Sequence, residues 1–221
     1  MSSHPYYPPD IALPNYVPND KHPLLLIAVL ALWAVSIISS AWWIIGFLQP
    51  TLSVRDRRIS VWFVMCGILH IGFEGYYVCN ARTITSQQTI WAQLWKEYSL
   101  SDSRYLLVDY KVICLEAITV LFWGPLSLLT AYWTVKHDTR RLLLQTVVCI
   151  AHIYGCTLYY ATSLVELVVD GRLYSRPEPL YFWGYFVGMN APFIIIPGYL
   201  LYLAFEETVT ESRRVSITKY T

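Results

Sequence analysis

Long apolar runs separated by short polar joints dominate the chain, and five of the runs are long enough to cross a bilayer. The first, 24–48, carries no charge, sets Trp42 and Trp43 near its far end, and is closed by Pro50 and the basic cluster Arg55, Arg57, Arg58. The others are 59–79, 106–134, 142–163 and 180–205. A helix needs about 20 apolar residues to span the hydrocarbon layer, and in lipid a helix satisfies its own backbone. The pattern therefore predicts an all-α membrane protein of five transmembrane helices. A Pro- and Tyr-rich N-terminal tail, 1–23, and a polar C-terminal tail, 206–221, flank the membrane domain, 24–205. In the last run Pro192 and Pro197 cannot donate to the helix, so they free the carbonyls of Gly188 and Phe193 and predict a kink.

One helical pattern does not span. In IWAQLWKEY, Ile90, Trp91, Leu94, Trp95 and Tyr98 recur at helical spacing, with Gln93, Lys96 and Glu97 opposite. That predicts a short helix lying in the membrane interface, either closing one mouth of a pocket or serving as an aromatic anchor.

Composition agrees with the pattern. Of 221 residues, 56% are apolar and only 14% charged, against about 25% charged in ordinary soluble domains. The mean hydropathy is +0.42. A net charge of +1 supplies no basic field for nucleic acid. The five cysteines, Cys66, Cys79, Cys114, Cys149 and Cys156, fall in or at the ends of apolar runs without a CxxC pair, and read as small buried hydrophobes. With five spans, one side carries Arg55, Arg57, Arg58, Lys136, Arg140, Arg141, Arg213, Arg214 and Lys219 in short segments. The other carries Lys21, Arg82, Lys96, Arg104, Arg172 and Arg176 over longer ones. The first side is expected in the cytosol and the N-terminus in the lumen.

The chemistry lies in polar residues placed at membrane depth, where each costs roughly 2.5–3.5 kcal/mol to insert and so marks a functional site. His70 and Glu74 stand at i and i+4 on one face of the second span and can share a proton. Glu116 lies near mid-depth in the third, with Thr119 one turn on. Trp183, Phe186, Asn190 and Phe193 recur at steps of three and four in the fifth, presenting three rings and an amide on one face. Aromatic faces can hold a carbocation at about 0.5–2 kcal/mol per ring. His152, alone on the fourth span, reads as a packing residue beside Cys156 and Tyr159. No glycine loop for phosphate, no HExxH-type metal cluster and no nucleotide fingerprint occurs. The residues suit cofactor-free, metal-free proton chemistry on an alkene.

The segments HIGFEGYYV, WKEYSLSDSRY, CLEAITVLFWGPLSLL, IYGCTLYY and PLYFWGYFVGMN, from 55 to 202, resemble the emopamil-binding protein family, the sterol Δ8–Δ7 isomerases of the EXPERA superfamily. The resemblance implies a multi-pass endoplasmic-reticulum membrane protein with a sterol-sized cavity open towards the bilayer. It implies protonation of a Δ8 alkene at C9, a tertiary cation at C8 and proton loss from C7. It carries catalytic roles to His70, Glu74 and Glu116, and substrate contacts to Thr119, Tyr98, Tyr105 and Asn190. The implied partners are a sterol or terpenoid substrate, cationic amphiphilic amines as inhibitors, and membrane lipid; a homodimer is left open. The chain departs from the family pattern at Cys156, where Asp is usual, at Thr162-Ser163, where Thr-Glu is usual, and at Phe193, where Trp is usual and which follows an unusual Pro192. These departures leave two rivals: an isomerase or cyclase of another polycyclic terpenoid, and a non-catalytic sterol-binding or trafficking protein.

Overall fold

The computed structural model describes residues 4–220, with side chains through Arg213, and among them there is no strand. Residues 1–3 and 221, and the side chains of Arg214 and Lys219 counted above, lie outside the described set. Five helices are long and apolar enough to cross a membrane: α1 (Pro23–Leu48), α2 (Val54–Asn80), α4 (Tyr110–Val135), α5 (Arg140–Asp170) and α6 (Leu180–Arg213). Between the second and third spans lies the short α3 (Ile90–Tyr98). The chain is a multi-pass membrane protein.

Local chemistry sets the ends. Pro23 opens α1, where a missing N–H costs nothing, and His22 Nδ1 accepts from the Leu24 amide. Gly171, at φ +65°, ends α5 in the left-handed region that glycine adopts without strain. Both α5 and α6 run further than their apolar stretches, because polar residues such as Glu166 and Glu207 are good helix formers that continue the winding beyond the lipid-compatible run. The last helix continues through Tyr220, so the stretch read as a polar tail is helical.

The spans pair where small residues let backbones approach. A Cβ at Gly124 of α4 would sit 2.7 Å from Ile71 Cγ1 and 3.2 Å from His70 Cβ of α2, and one at Gly67 would sit 2.5 Å from Leu128 Cγ. Only glycine at these positions lets α2 and α4 close up beside His70. α5 packs along α6, and α1 rests on α2 and α3 with most of its surface left to lipid.

α3 packs against the bundle by its aromatic face. Trp95 stacks on Phe73 at 4.5 Å, donates its indole N–H to the Phe73 carbonyl, and lies 4.9 Å from both Tyr77 and Tyr105. The face read as polar is buried as well, under the N-terminal segment. Asn19 donates to the Gln93 carbonyl, Gln93 Oε1 accepts from the Asp20 and Lys21 amides, and the Tyr6 hydroxyl donates to the Lys96 carbonyl. Residues 4–22 thus form a strap across α3, and strap, α3 and the loop to α4 cap one end of the bundle. Sequence periodicity alone sets Gln93, Lys96 and Glu97 opposite the apolar stripe and names no partner for them. Their partners come from segments more than 70 residues away in the chain.

Lys96 is fully buried in this cap, and its ammonium donates to the Val17 carbonyl at 2.8 Å and to Gln88 Oε1 at 3.4 Å. Both acceptors are neutral. Burial pulls the Lys96 amine down to about 8 from the ordinary 10.5, with Asp20 opposing. The folded cap therefore prefers the neutral amine, and unfolding takes up a proton between about pH 8 and 10.5. The cap is expected to be least stable below pH 8 and to gain stability as pH rises through this window. Thermal stability in detergent at pH 7.5 and 9.5 checks this: wild type rises relative to Lys96→Met, which carries no such proton.

Candidate active site

Three of the five spans leave ordinary α-helical winding at the level of the predicted site. Leu69–Glu74 in α2, Thr119–Trp123 in α4 and Leu180–Val187 in α6 are wound as π-helical turns. Such turns hold an extra residue each, and they recur at functional sites. In α2 this turn spans the pair at i and i+4, and His70 Nδ1 lies 2.7 Å from Glu74 Oε2.

Around this pair the helices enclose a cavity of about 400 Å³, within the usual range for small-molecule sites. His70, Glu74, Glu116, Thr119, Asn190, Phe193 and Tyr105 all line it, as do His152, Cys156 and Tyr159 from α5. Leu115, Ile118, Trp123, Tyr154 and Leu158 supply much of the apolar wall. Ile118 of α4 and Tyr154 of α5 line the cavity and are exposed.

Glu74 is the hub. Besides His70, the Thr119 hydroxyl is hydrogen-bonded to Glu74 Oε2, and Thr119 also lies 2.7 Å from the Glu116 carbonyl oxygen. One hydroxyl hydrogen serves both acceptors, so Thr119 can release Glu74 without losing a partner. The Glu116 carboxyl interacts with that of Glu74, and its Oε1 accepts from the Tyr105 hydroxyl at 2.5 Å. Burial and the neighbouring Glu116 hold the Tyr105 phenol protonated, well above its ordinary range, so that it remains a donor. Tyr105 arrives from the cap, and through it the cap closes that end of the cavity.

Not every predicted contact reaches the cavity. Trp183 is 65% exposed on the outer surface. The spacing 183, 186, 190, 193 presumes ordinary winding, whereas the π-helical turns through Val187 shift the phase between Trp183 and Asn190. Phe186 is buried behind the wall, packed on Tyr159, Tyr160 and Phe182. Tyr98 stands in a second layer: its hydroxyl accepts from Asn190 Nδ2 at 2.9 Å, and Asn190 also donates to the Phe186 carbonyl. Pro192 follows Ala191, where the assignment of α6 is interrupted for one residue while the backbone stays in the α region, and Pro197 lies inside the helical stretch beyond. Phe193 lies among Trp62, His70 and His152, with centroids 5.7–6.1 Å apart. Of the cysteines, Cys66, Cys149 and Cys156 are buried, but Cys79 and Cys114 are exposed, contrary to the sequence reading.

Sequence reasoning missed His152. Far from being a plain packing residue, it lines the cavity with its Nε2 3.1 Å from His70 Nε2. Its signal was the same as that of His70, an ionisable group at membrane depth, and only its lack of a partner on its own helix hid it.

Fold and site together define a polytopic membrane protein that holds two carboxyls and two imidazoles in an intramembrane apolar cavity. The family model described as EXPERA (EXPanded EBP superfamily) matches residues 90–204. A 3-beta-hydroxysteroid-Delta(8),Delta(7)-isomerase of Rattus norvegicus is 37% identical over 200 residues, covering 90% of this chain and 86% of the relative. The Mus musculus protein of that name is 34% identical over 220 residues, 97% and 94% of the two chains. An isomeliandiol synthase of Melia azedarach is 33% identical over 163 residues, 73% and 74%. The chain belongs to the EXPERA, or expanded EBP, superfamily.

Proposed function

We propose that the protein is a sterol Δ8–Δ7 isomerase of the endoplasmic-reticulum membrane, with its N-terminus in the lumen and its C-terminus in the cytosol. The observation that carries this reading is the hydrogen-bonded row His70–Glu74–Thr119, with Glu116 beside it, on the wall of an apolar cavity. His70 and Glu74 deliver a proton to C9 of the Δ8 alkene, leaving a tertiary cation at C8. Glu116 and the Asn190 amide oxygen face that charge, and a carboxylate of the row takes the proton lost from C7. One proton enters and one leaves, so neither cofactor nor oxidant is needed. The apolar wall keeps water from the cation.

Expression in cells lacking sterol Δ8-isomerase, followed by sterol profiling, tests the reading. Conversion of the accumulated Δ8-sterol to its Δ7 isomer is expected; persistent Δ8-sterol beside folded, membrane-inserted protein overturns it. In that case a polycyclic terpenoid becomes the substrate to try. Two observations favour this second reading: relatives named isomeliandiol synthase and protoglabretal synthase align over most of their length, and the cavity wall carries Cys156 and Phe193.

A cationic site also binds amines. A hydrophobic amine, charged at neutral pH, resembles the intermediate, and such mimics bind about 10²–10⁸-fold tighter than substrate. A cationic amphiphilic amine is expected to inhibit turnover, and Glu116→Gln to weaken its binding by roughly tenfold or more through loss of a buried charge partner. Equal affinity for the amine and its neutral isostere removes the cation site.

A further inference from the structure

We propose that His152 is a positioning residue for His70, fixing the ring nitrogen on which His70 carries its proton. The two rings approach at 5.1 Å between centroids with Nε2 facing Nε2 at 3.1 Å, and His152 is only 5% exposed. A hydrogen bond between two imidazole nitrogens requires one to be protonated and the other bare. His70 Nδ1 shares one proton with Glu74 Oε2, which either group can hold, so Glu74 by itself does not fix the nitrogen on which His70 is protonated. The contact with His152 does fix it, because His152 is the donor there. The order runs outward from Glu74: its Oε2 accepts from His70 Nδ1–H, and His70 Nε2 accepts from His152 Nε2–H.

The far nitrogen is what makes His152 the donor. His152 Nδ1 is buried with no hydrogen-bond partner. A bare nitrogen there costs less than an unmatched N–H, whose lost donor bond nothing repays. His152 is thereby held with its proton on Nε2, aimed at His70. Were His70 to turn its own Nε2–H towards His152, two N–H groups would oppose each other. The pair therefore keeps the proton of neutral His70 on Nδ1, against Glu74, and leaves its Nε2 bare. Phe193, edge-on to His152 at 6.0 Å and 6.1 Å from His70, packs both rings and limits their rotation.

The catalytic consequence rests on the isomerase reading, whereas the tautomer does not, and the experiment separates them. Protein labelled with ¹⁵N-histidine, reconstituted in nanodiscs, reports the protonated nitrogen of His70 directly. In wild type and in His152→Gln, whose amide can donate from the same place, the Nδ1–H form is expected. In His152→Phe, or in His152→Met should the phenyl ring fail to pack, a mixture of the two forms is expected. On a Δ8-sterol, His152→Phe is expected to lose roughly tenfold or more in kcat with KM nearly unchanged, as misplacement of a catalytic group does. His152→Gln is expected to recover most of that loss. The proposal is overturned if His70 keeps a single Nδ1–H form in the apolar variants. It is equally overturned if those variants turn over at the wild-type rate, or if folded His152→Gln is as slow as they are. A wild-type protein inert on Δ8-sterol overturns the isomerase reading alone, and the ¹⁵N spectra still decide the role of His152.

Discussion

Glu74→Gln and His70→Ala are each expected to reduce sterol turnover by about 10²–10⁴-fold while leaving the protein folded in the membrane, the usual contribution of a positioned acid or base. Glu74 Oε2 takes hydrogen bonds from His70 Nδ1 and from the Thr119 hydroxyl, and its carboxyl faces that of Glu116. The Gln amide keeps the shape, but it carries no charge and cannot pass a proton between His70 and the rest of the row. His70→Ala removes the donor and leaves the Glu74 carboxylate short of a partner at 13% exposure. The loss should fall on kcat, because neither group is needed to hold the apolar body of the substrate. Residues that act as one unit are not additive, so the double variant should be little slower than the worse single one. Sterol turnover by purified protein, normalised to folded protein, measures this. If both single variants keep more than about a tenth of the wild-type rate, the pair is not on the proton path.

The second large effect concerns stability, and it sits in the cap. Arg104 and Asp102 are both fully buried and form a paired salt bridge, Nε to Oδ1 at 2.9 Å and Nη2 to Oδ2 at 2.6 Å. Nη1 donates to Thr162 Oγ1 at 2.9 Å, tying the cap to α5, and the guanidinium lies over the rings of Tyr159 and Tyr174. Burial alone would favour a neutral guanidine, but Asp102 more than offsets it and the group stays charged. Arg104→Ala or Asp102→Asn leaves an uncompensated buried charge or a broken network and is expected to cost about 3–5 kcal/mol. In a chain of this size that is on the order of 10 °C in Tm. Replacing both partners with apolar residues, Asp102→Leu with Arg104→Met, should recover much of the loss, because the penalty is the unmatched charge. Thermal unfolding in detergent checks all three. Single variants within about 1 kcal/mol of wild type would mean that water reaches the pair.

The two effects also show which parts of the site can be read along one helix. His70 with Glu74, and Glu116 with Thr119, are separated by three or four residues, so any helical winding puts each pair on a common face. Asn190 was legible for a related reason: an amide in an apolar run needs a partner, and it found Tyr98. His152 had no such neighbour on its own helix. Its partner is 82 positions away, and which residue of α2 it meets depends on how α5 is rotated and how far Gly124 and Gly67 let α2 and α4 approach. Trp183 stands outside the cavity lining for the opposite reason. A regular period was read through a stretch whose π-helical winding does not keep it.

The five membrane crossings follow from the sequence by itself, because hydrocarbon tolerates no unpaired backbone and few charges, and a run of about 20 apolar residues has few other stable forms there. The need for partners at His70, Glu74, Glu116 and Asn190 follows too, since lipid offers buried polar groups none. Tertiary structure alone decided who those partners are across helices. It set His152 against His70 and placed Tyr105 on Glu116. It seated Arg104 between Asp102 and Thr162, and laid residues 4–22 over the polar face of α3. The physical reason is that a residue's own helix dictates what it must avoid, whereas the partner it meets is set by the rotation and closeness of neighbouring helices, to which every packed side chain contributes.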